Sequence, residues 1–92
     1  MNHVGRKSTI GDTESLGVVV RAVRIQAGLT QADVAALCGV SAPFLSGLEQ
    51  GKPTARIGLA LEVCRGLGIQ LVAVTPHTLP EKAAKRVPRS DR

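Results

Sequence analysis

The chain of 92 residues is long enough for one compact domain with modest tails, which excludes catalytic architectures built from several domains. Hydrophobic residues make up 43% of the sequence and charged residues 21%, a balance typical of a globular protein. The single aromatic residue, Phe44, argues against an RNA binder that stacks bases on aromatic side chains. The net charge of +5 favours a polyanionic partner, although most of the excess lies in the tails, since residues 13–76 carry five basic and four acidic residues.

Cysteine usage and hydropathy indicate a protein of a reducing, aqueous compartment. Cys38 and Cys64 lie in apolar helical patterns without the spacing of zinc ligands, and we interpret them as reduced core residues. No stretch reaches the roughly 20 apolar residues that span a bilayer, and the N-terminus lacks an apolar signal core. We therefore expect a cytoplasmic protein with no membrane association, no metal and no other cofactor.

The first predicted helix begins at Thr13, which can serve as its N-cap, and Gly28 stops it. Residues 1–12 lack apolar periodicity and predict a flexible N-terminal arm. Within the helix, apolar residues recur at helical spacing: Leu16, Val19, Val20, Val23 and Ala27.

Two short helices follow. Thr30 can cap the second predicted helix, which ends at Gly39, and Ser41 can cap the third, which tolerates Pro43 in its first turn and ends at Gly51. Helices this short are not stable alone, so packing between them must fix their angle. We expect that packing to involve Val34, Leu37, Val40, Leu45 and Leu48.

The last predicted elements are a fourth helix and a strand. The strand covers residues 69–75, because β-branched residues dominate and Pro76 ends it, and residues 77–92 predict a disordered basic tail. One side of the fourth helix carries Ile57, Ala60, Leu61, Cys64 and Leu67, and a second apolar side carries Leu59 and Val63.

The predicted fold is all-α, with four to five helices over residues 13–68. A short helix, a turn and a second capped helix form a helix-turn-helix, whose second helix can enter a DNA major groove. Because an isolated strand leaves its backbone unpaired, we expect residues 69–76 to contain a dimerisation strand that pairs with a second copy. The dimer interface would contain Leu59, Val63, Ile69, Leu71, Val72, Ala73 and Val74. Such a homodimer would place two recognition helices about 34 Å apart on a near-palindromic operator.

Four groups of residues follow one another at fixed spacings: Arg24 to Gln31, Gly39-Val40-Ser41, Leu45-Ser46 and Glu49 to Lys52. Together they resemble the helix-turn-helix domains of phage repressors and of the xenobiotic-response-element family, over residues 16–68. The resemblance implies a lambda-repressor-like fold that binds double-stranded operator DNA. Residues 51–56 and the terminal strand are similar more particularly to HipB-type antitoxins, which repress their own operon and bind a HipA-like kinase toxin.

The resemblance implies roles in DNA backbone binding for three polar residues. Gln31 matches a position whose amide contacts a phosphate, and Ser46 and Lys52 match backbone-facing positions. A solvated surface position is the alternative for Gln31 and Lys52. Arg21 and Arg56 stay open between a phosphate contact and a solvated helix face. Ser41 would also lie against the sugar-phosphate backbone of the DNA.

The resemblance also implies that Arg24 pairs internally with Glu49 rather than binding DNA. In a partly buried ion pair of this kind, removing either partner would leave the other charge uncompensated.

The positions that match the family's base readers are apolar: Ala42, Pro43, Phe44 and Gly47. Ala42 and Phe44 would touch thymine methyl groups, and the main chain would approach DNA at Gly47. Phe44 is equally explained as a core or partner contact. Discrimination would then come from DNA shape, from Arg6 and Lys7 in a minor groove, or from a second subunit, and lost DNA binding is the alternative.

Two functions remain compatible in one chain: a DNA-binding repressor, and an antitoxin that neutralises a kinase toxin. A stand-alone repressor and an interaction module with weakened DNA readout are the alternatives. The cations of the basic tail are Lys82, Lys85, Arg86 and Arg89. Three roles are open for this tail: it would fold on the partner, reach DNA, or only solubilise the chain. We do not expect an enzyme, because His3 and His77 lie in predicted tails and no nucleophile has a base at motif spacing.

Overall fold

Helices are the regular secondary structure of the computed structural model, which describes residues 7–80. Within those residues the fold is all-α and contains no strand. The four helices are α1 (Thr13–Gln26), α2 (Gln31–Cys38), α3 (Ala42–Glu49) and α4 (Ile57–Gly66).

The N-terminus of α1 is capped by Asp12, so the predicted cap at Thr13 is wrong. Asp12 Oδ1 accepts a hydrogen bond from the Ser15 amide at 2.8 Å, and Ser15 Oγ accepts one from the Asp12 amide at 3.1 Å. The Thr13 hydroxyl instead donates to the carbonyl of Gly51 at 2.8 Å. That bond ties the start of α1 to the turn after α3.

The predicted caps of the two short helices are confirmed. Thr30 Oγ1 accepts from the Asp33 amide at 3.0 Å, and Ser41 Oγ accepts from the Phe44 amide at 3.0 Å. Between them Gly39 ends α2 with a φ of 73°, in the left-handed region that favours glycine. These local signals set the helix-turn-helix over residues 31–49.

The core lies between the four helices, with α3 packed against α1 and α2, and α4 packed against α2. Val34 of α2 is fully buried in one cluster with Leu45 and Leu48 of α3, and Val40 packs at its edge. Leu37 is 63% exposed, so its predicted packing is wrong. The short α2 is apolar on nearly every side, and its sequence alone does not indicate which side faces inward. The buried cluster consists of Val20, Val34, Leu45, Leu48, Ala60, Val63 and Cys64.

At one point α1 and α3 touch through their backbones. A Cβ added to Gly17 would lie 2.5 Å from the Leu48 carbonyl oxygen and 2.6 Å from that of Glu49. Any side chain at this position would push the two helices apart. Gly17 therefore sets the distance between α1 and α3.

The inward side of α4 matches the predicted one at Ala60, Cys64 and Leu67, but not at Ile57 and Leu61. Ala60, Val63 and Cys64 are buried, whereas Ile57 is 70% exposed and Leu61 43% exposed. Val63 is thus inside the protomer core, and its predicted place at a dimer interface is wrong. Leu59 is half-buried.

The predicted strand over residues 69–75 is not formed within the single chain, because no second strand is present in residues 7–80 to pair with it. Ile69 packs against the core instead, and its amide donates to the Cys64 carbonyl at 2.8 Å. After it the side chains are exposed: Leu71, Val72, Ala73 and Val74.

The described part of the N-terminal arm, residues 7–11, has no helix or strand, and residues 77–80 are exposed. Arg6 lies outside the described residues, as do the predicted tail cations Lys82, Lys85, Arg86 and Arg89. Across residues 7–80, none of the helices combines the length and the apolar character needed to cross a membrane.

The two cysteines are both free thiols. Cys64 is buried in the core and Cys38 is half-buried beside Gly66, where an added Cβ would lie 2.5 Å from the Cys38 sulfur. Burial raises the pKa of both thiols. They are therefore protonated packing groups at neutral pH.

Candidate nucleic-acid interface

The ends of α1 and α3 are joined by a buried ion pair. Arg24 Nε donates to Glu49 Oε2 at 2.6 Å, and Nη2 donates to Oε1 at 2.9 Å. Arg24 Nη1 donates to the Leu29 carbonyl, in the link between α1 and α2, at 2.9 Å. Two parallel bonds to one carboxylate fix both distance and orientation. Arg24 is thus engaged inside the protein, as the resemblance implied.

The electrostatics of this pair favour its charged form. Burial of the Glu49 carboxylate raises its pKa, but hydrogen bonds from Arg24 and Gln31 outweigh burial, and the pKa lies below its ordinary value. The hydrogen bond to Glu49 raises the pKa of Arg24. Both groups remain ionised at neutral pH.

Gln31, the first residue of α2, is held by the same carboxylate. Its Nε2 donates to Glu49 Oε1 at 3.0 Å. Because an ionised carboxylate only accepts hydrogen bonds, the amide nitrogen must face Glu49. The remaining N–H and the carbonyl oxygen of the Gln31 amide are left for other partners. The N-terminus of α2 is thus oriented by α1 and α3 together.

The other predicted cations are exposed. Arg21 lies on α1, near enough to Glu49 that its charge contributes to lowering the pKa of that carboxyl. Arg56 precedes α4 as an N-cap residue whose side chain makes no capping hydrogen bond. Lys52 follows the turn that ends α3.

Five of the ten predicted DNA contacts lie on the solvent side of α3 or at its N-cap. Ser41, Ala42 and Pro43 are exposed, and Ser46 and Gly47 are half-buried. Their arrangement follows from α3 burying Leu45, Leu48 and Glu49 on its opposite side. Phe44 is half-buried and packs against the core cluster, which favours its interpretation as a core residue over a thymine contact.

Sequence reasoning missed Gln50, which lies next to this surface. Gln50 Nε2 donates to Ser46 Oγ at 3.1 Å, and the residue is exposed at the C-cap of α3. The spacing of four residues on a helix was the signal that could have found this pair. The bond orients the Ser46 hydroxyl, which otherwise would rotate freely.

Known proteins resemble the chain in both sequence and fold. A family model of the helix-turn-helix domain matches residues 15–76. The uncharacterized HTH-type transcriptional regulator y4mF of Sinorhizobium fredii is 41% identical over 61 residues, which are 66% of this chain and 80% of that protein.

Among solved structures, a HipB–O4 20mer complex matches with a TM-score of 0.70 at 18% identity, covering 77% of this chain and 100% of the other. A complex of a HipB variant with an O2 20mer gives a TM-score of 0.71 at 19% identity, covering 78% and 100%. At such identities the similarity is one of fold.

Proposed function

The chain belongs to the helix-turn-helix family of transcriptional regulators, and we propose that it represses transcription by binding operator DNA with α3 in the major groove. The observation that carries this proposal is the ion pair of Arg24 and Glu49, which holds Gln31 at the start of α2. The pair joins α1 to α3, and the hydrogen bond from Gln31 to the same carboxylate ties the start of α2 to α3 before DNA binds. Preorganisation of this kind lowers the free-energy cost of binding.

The phosphate contacts would come from both ends of the motif. The free N–H of the Gln31 amide and the first amides of α2 would face one phosphate, where the helix dipole favours an anion. Ser41 and Ser46 would offer hydroxyls to the backbone. Arg21 and Arg56 would add point charges at the edge of the interface.

Base recognition through α3 itself would be shallow. Ala42 and Pro43 present only apolar surface, suited to thymine methyl groups. Selectivity would therefore depend on sequence-dependent DNA shape in addition to direct contacts.

The DNA-binding proposal is tested by fluorescence anisotropy with duplex DNA from upstream of the gene. We expect affinity to fall more than about tenfold between about 50 and about 200 mM salt. Gln31→Ala should weaken binding by about tenfold, because it removes a hydrogen bond to a charged phosphate. Arg65→Ala, which removes a cation paired with Glu62 on α4, is the matched control. Binding that is insensitive to salt would refute the proposal.

We further propose that the chain acts as a homodimer in which residues 69–75 of two copies pair as antiparallel strands. Support comes from the exposed apolar side chains of Leu71, Val72 and Val74 and from an open groove of about 1140 Å³. The groove is lined by residues 7–10, by residues 67–72 and Val74, and by Val19 and Val23. Sedimentation at micromolar concentration should give a dimer for the natural chain and a monomer for Val74→Asp. A natural chain that sediments as a monomer would contradict this pairing.

An antitoxin role is proposed for the same chain, with a HipA-like kinase toxin as partner. Its support is the similarity in fold to HipB complexes, together with exposed apolar residues on α2 and α4. Those residues are Leu37, Ile57 and Leu61. Co-expression with the neighbouring gene product tests this role: a kinase that co-purifies and loses activity supports it, and a neighbour that does not bind contradicts it.

A further inference from the structure

The turn after α3 folds the chain back over the recognition helix. Gly51 has a φ of 82°, its amide donates to the Leu48 carbonyl at 3.0 Å, and the Lys52 amide donates to the Gly47 carbonyl at 3.0 Å. This pair of hydrogen bonds is the Schellman motif, which brings the second residue after the cap against the helix's last turn. The backbone therefore fixes Lys52 beside Gly47.

The Lys52 side chain packs beside Gly47, at the distance of an ordinary contact with a Cβ placed there. A Cβ added to Gly47 would lie 3.8 Å from Lys52 Cβ and 3.4 Å from Lys52 Cδ. The aliphatic stem thus lies along α3, and the ammonium group is two bonds beyond Cδ on an exposed residue. Long cationic side chains commonly bury the stem in this way while the charge stays in solvent.

The stem lies beside two positions of α3 that offer no side-chain hydrogen-bond donor. Gly47 is one turn from Pro43, and neither residue has a polar side chain. A lysine ammonium brings three donors, and in the major groove only guanine presents two acceptors, O6 and N7, on one base edge. Lys52 therefore supplies the donors that Gly47 and Pro43 lack, in addition to the Gln50 amide and the Ser46 hydroxyl.

We propose that Gly47 and Lys52 act as one specificity-determining unit. Because Gly47 has no side chain, the Lys52 stem can lie along α3, and the ammonium donates to guanine O6 and N7. Gly47 is then a positioning residue, and Lys52 contacts a base edge rather than only the DNA backbone. This inference rests on the proposed binding of DNA through α3.

Selection from a random-sequence duplex pool, followed by anisotropy on the selected DNA, tests the role of Lys52. The natural chain should select a guanine at one position of each half-site. Lys52→Ala should lose that preference, with affinity falling about tenfold on guanine DNA and little on DNA with adenine at the same position. Arg65→Ala, which removes an equal charge from α4, controls for net charge.

The role of Gly47 is tested by coupling to Lys52. Gly47→Val, whose methyl groups would displace the stem, should reproduce the loss of guanine preference, and the double variant with Lys52→Ala should be no worse than either single variant. Gly47→Ala should have a smaller effect, since its Cβ would make an ordinary contact with the stem. Gly58→Val, at a helical glycine with no neighbour within 4 Å, controls for a β-branched residue in a helix. Thermal unfolding establishes that each variant folds.

Three results would overturn the inference. Lys52→Ala that weakens all sequences equally and lowers the salt dependence would make Lys52 a phosphate contact. Additive losses in the double variant would show that Gly47 acts independently, through a clash with DNA. A natural chain that selects no sequence and binds without salt dependence would refute the proposed function as well, whereas the first two results leave it intact.

Discussion

Two regions of the molecule, the junction of α1 with α3 and the segment after α4, differ in which kind of side chain they bury. At the junction, Arg24 and Glu49 bury their charges and find partners within the chain. In the segment, Val72 and Val74 expose apolar side chains to solvent. The junction is complete in one protomer, whereas the segment has the composition of a strand without a strand to pair with. The first region stabilises the fold, and the second is the surface that we propose for dimerisation.

The largest expected effect comes from breaking the ion pair. Arg24→Met should lower the free energy of unfolding by about 3 kcal/mol or more, because it leaves the Glu49 carboxylate buried without its partner. Urea unfolding followed by circular dichroism measures this. The double variant Arg24→Met with Glu49→Leu should recover much of the loss, since it removes the uncompensated charge. A single variant that loses under 1 kcal/mol would show that the junction does not depend on the pair.

A smaller loss is expected at the backbone contact between α1 and α3. Gly17→Ala should destabilise by about 1–3 kcal/mol, because its Cβ would collide with the Leu48 and Glu49 carbonyls. Gly58→Ala is the control, as it meets nothing within 4 Å and should stabilise α4 by up to about 1 kcal/mol. Equal melting temperatures for the two variants would contradict the close approach.

Acid should lower the stability that the Arg24–Glu49 pair gives to the junction. The folded-state pKa of Glu49 lies below its ordinary value of 4.5, so its contribution to stability is present above that pH and is lost as pH falls through the lower folded-state pKa. The natural chain should therefore lose more stability on acidification than the double variant Arg24→Met with Glu49→Leu. The capping carboxylates Asp12 and Asp33 also have lowered pKa values, but they are present in both proteins. Parallel pH profiles would argue against a charged Glu49.

The smallest expected effect on protomer stability is in the segment. Val74→Asp should change the free energy of unfolding by less than about 0.5 kcal/mol when it is measured below the concentration of assembly, because Val74 is 94% exposed. A loss above 1 kcal/mol in the isolated protomer would show that the segment belongs to the core.

The helix-turn-helix was predictable because its signals are local. Thr30, Gly39 and Ser41 each act within one helical turn, and each does in the structure what its residue type favours. Thr13 also has a capping residue type, but its hydroxyl bonds to Gly51, 38 positions away. Helix-capping propensity describes only local contacts, so it does not predict a hydrogen bond between residues this far apart in the sequence.

Burial was harder to predict than helix position. Leu37 and Val34 both fit an inward side of α2, yet only Val34 is buried. Ile57 and Leu61 fit an inward side of α4, yet Val63 takes that place. Apolar residues cover these short helices on several sides, so the direction each helix faces is decided by tertiary packing.

The candidate interface was predicted as a set of residue types, and its internal organisation was not. The resemblance indicated that Arg24 pairs with Glu49, but neither it nor the spacing indicated that Gln31 shares the carboxylate. Likewise the sequence predicts close approach of DNA at Gly47, but it does not indicate that the Lys52 stem lies in contact with that position. The Gln31–Glu49 contact depends on the tertiary packing of α2 against α3, and the Gly47–Lys52 contact depends on the turn that follows α3.

Amide chemical-shift mapping by NMR, with duplex DNA from upstream of the gene, tests the central claim most directly. We predict that the largest shift changes fall at Gln31, at Ala42, across residues 44–47 and at Lys52, while residues 69–79 change little at constant protein concentration. Changes confined to residues 69–79 or to α4, with α2 and α3 unaffected, would contradict the claim that DNA binds the surface held in place by the Arg24–Glu49 pair.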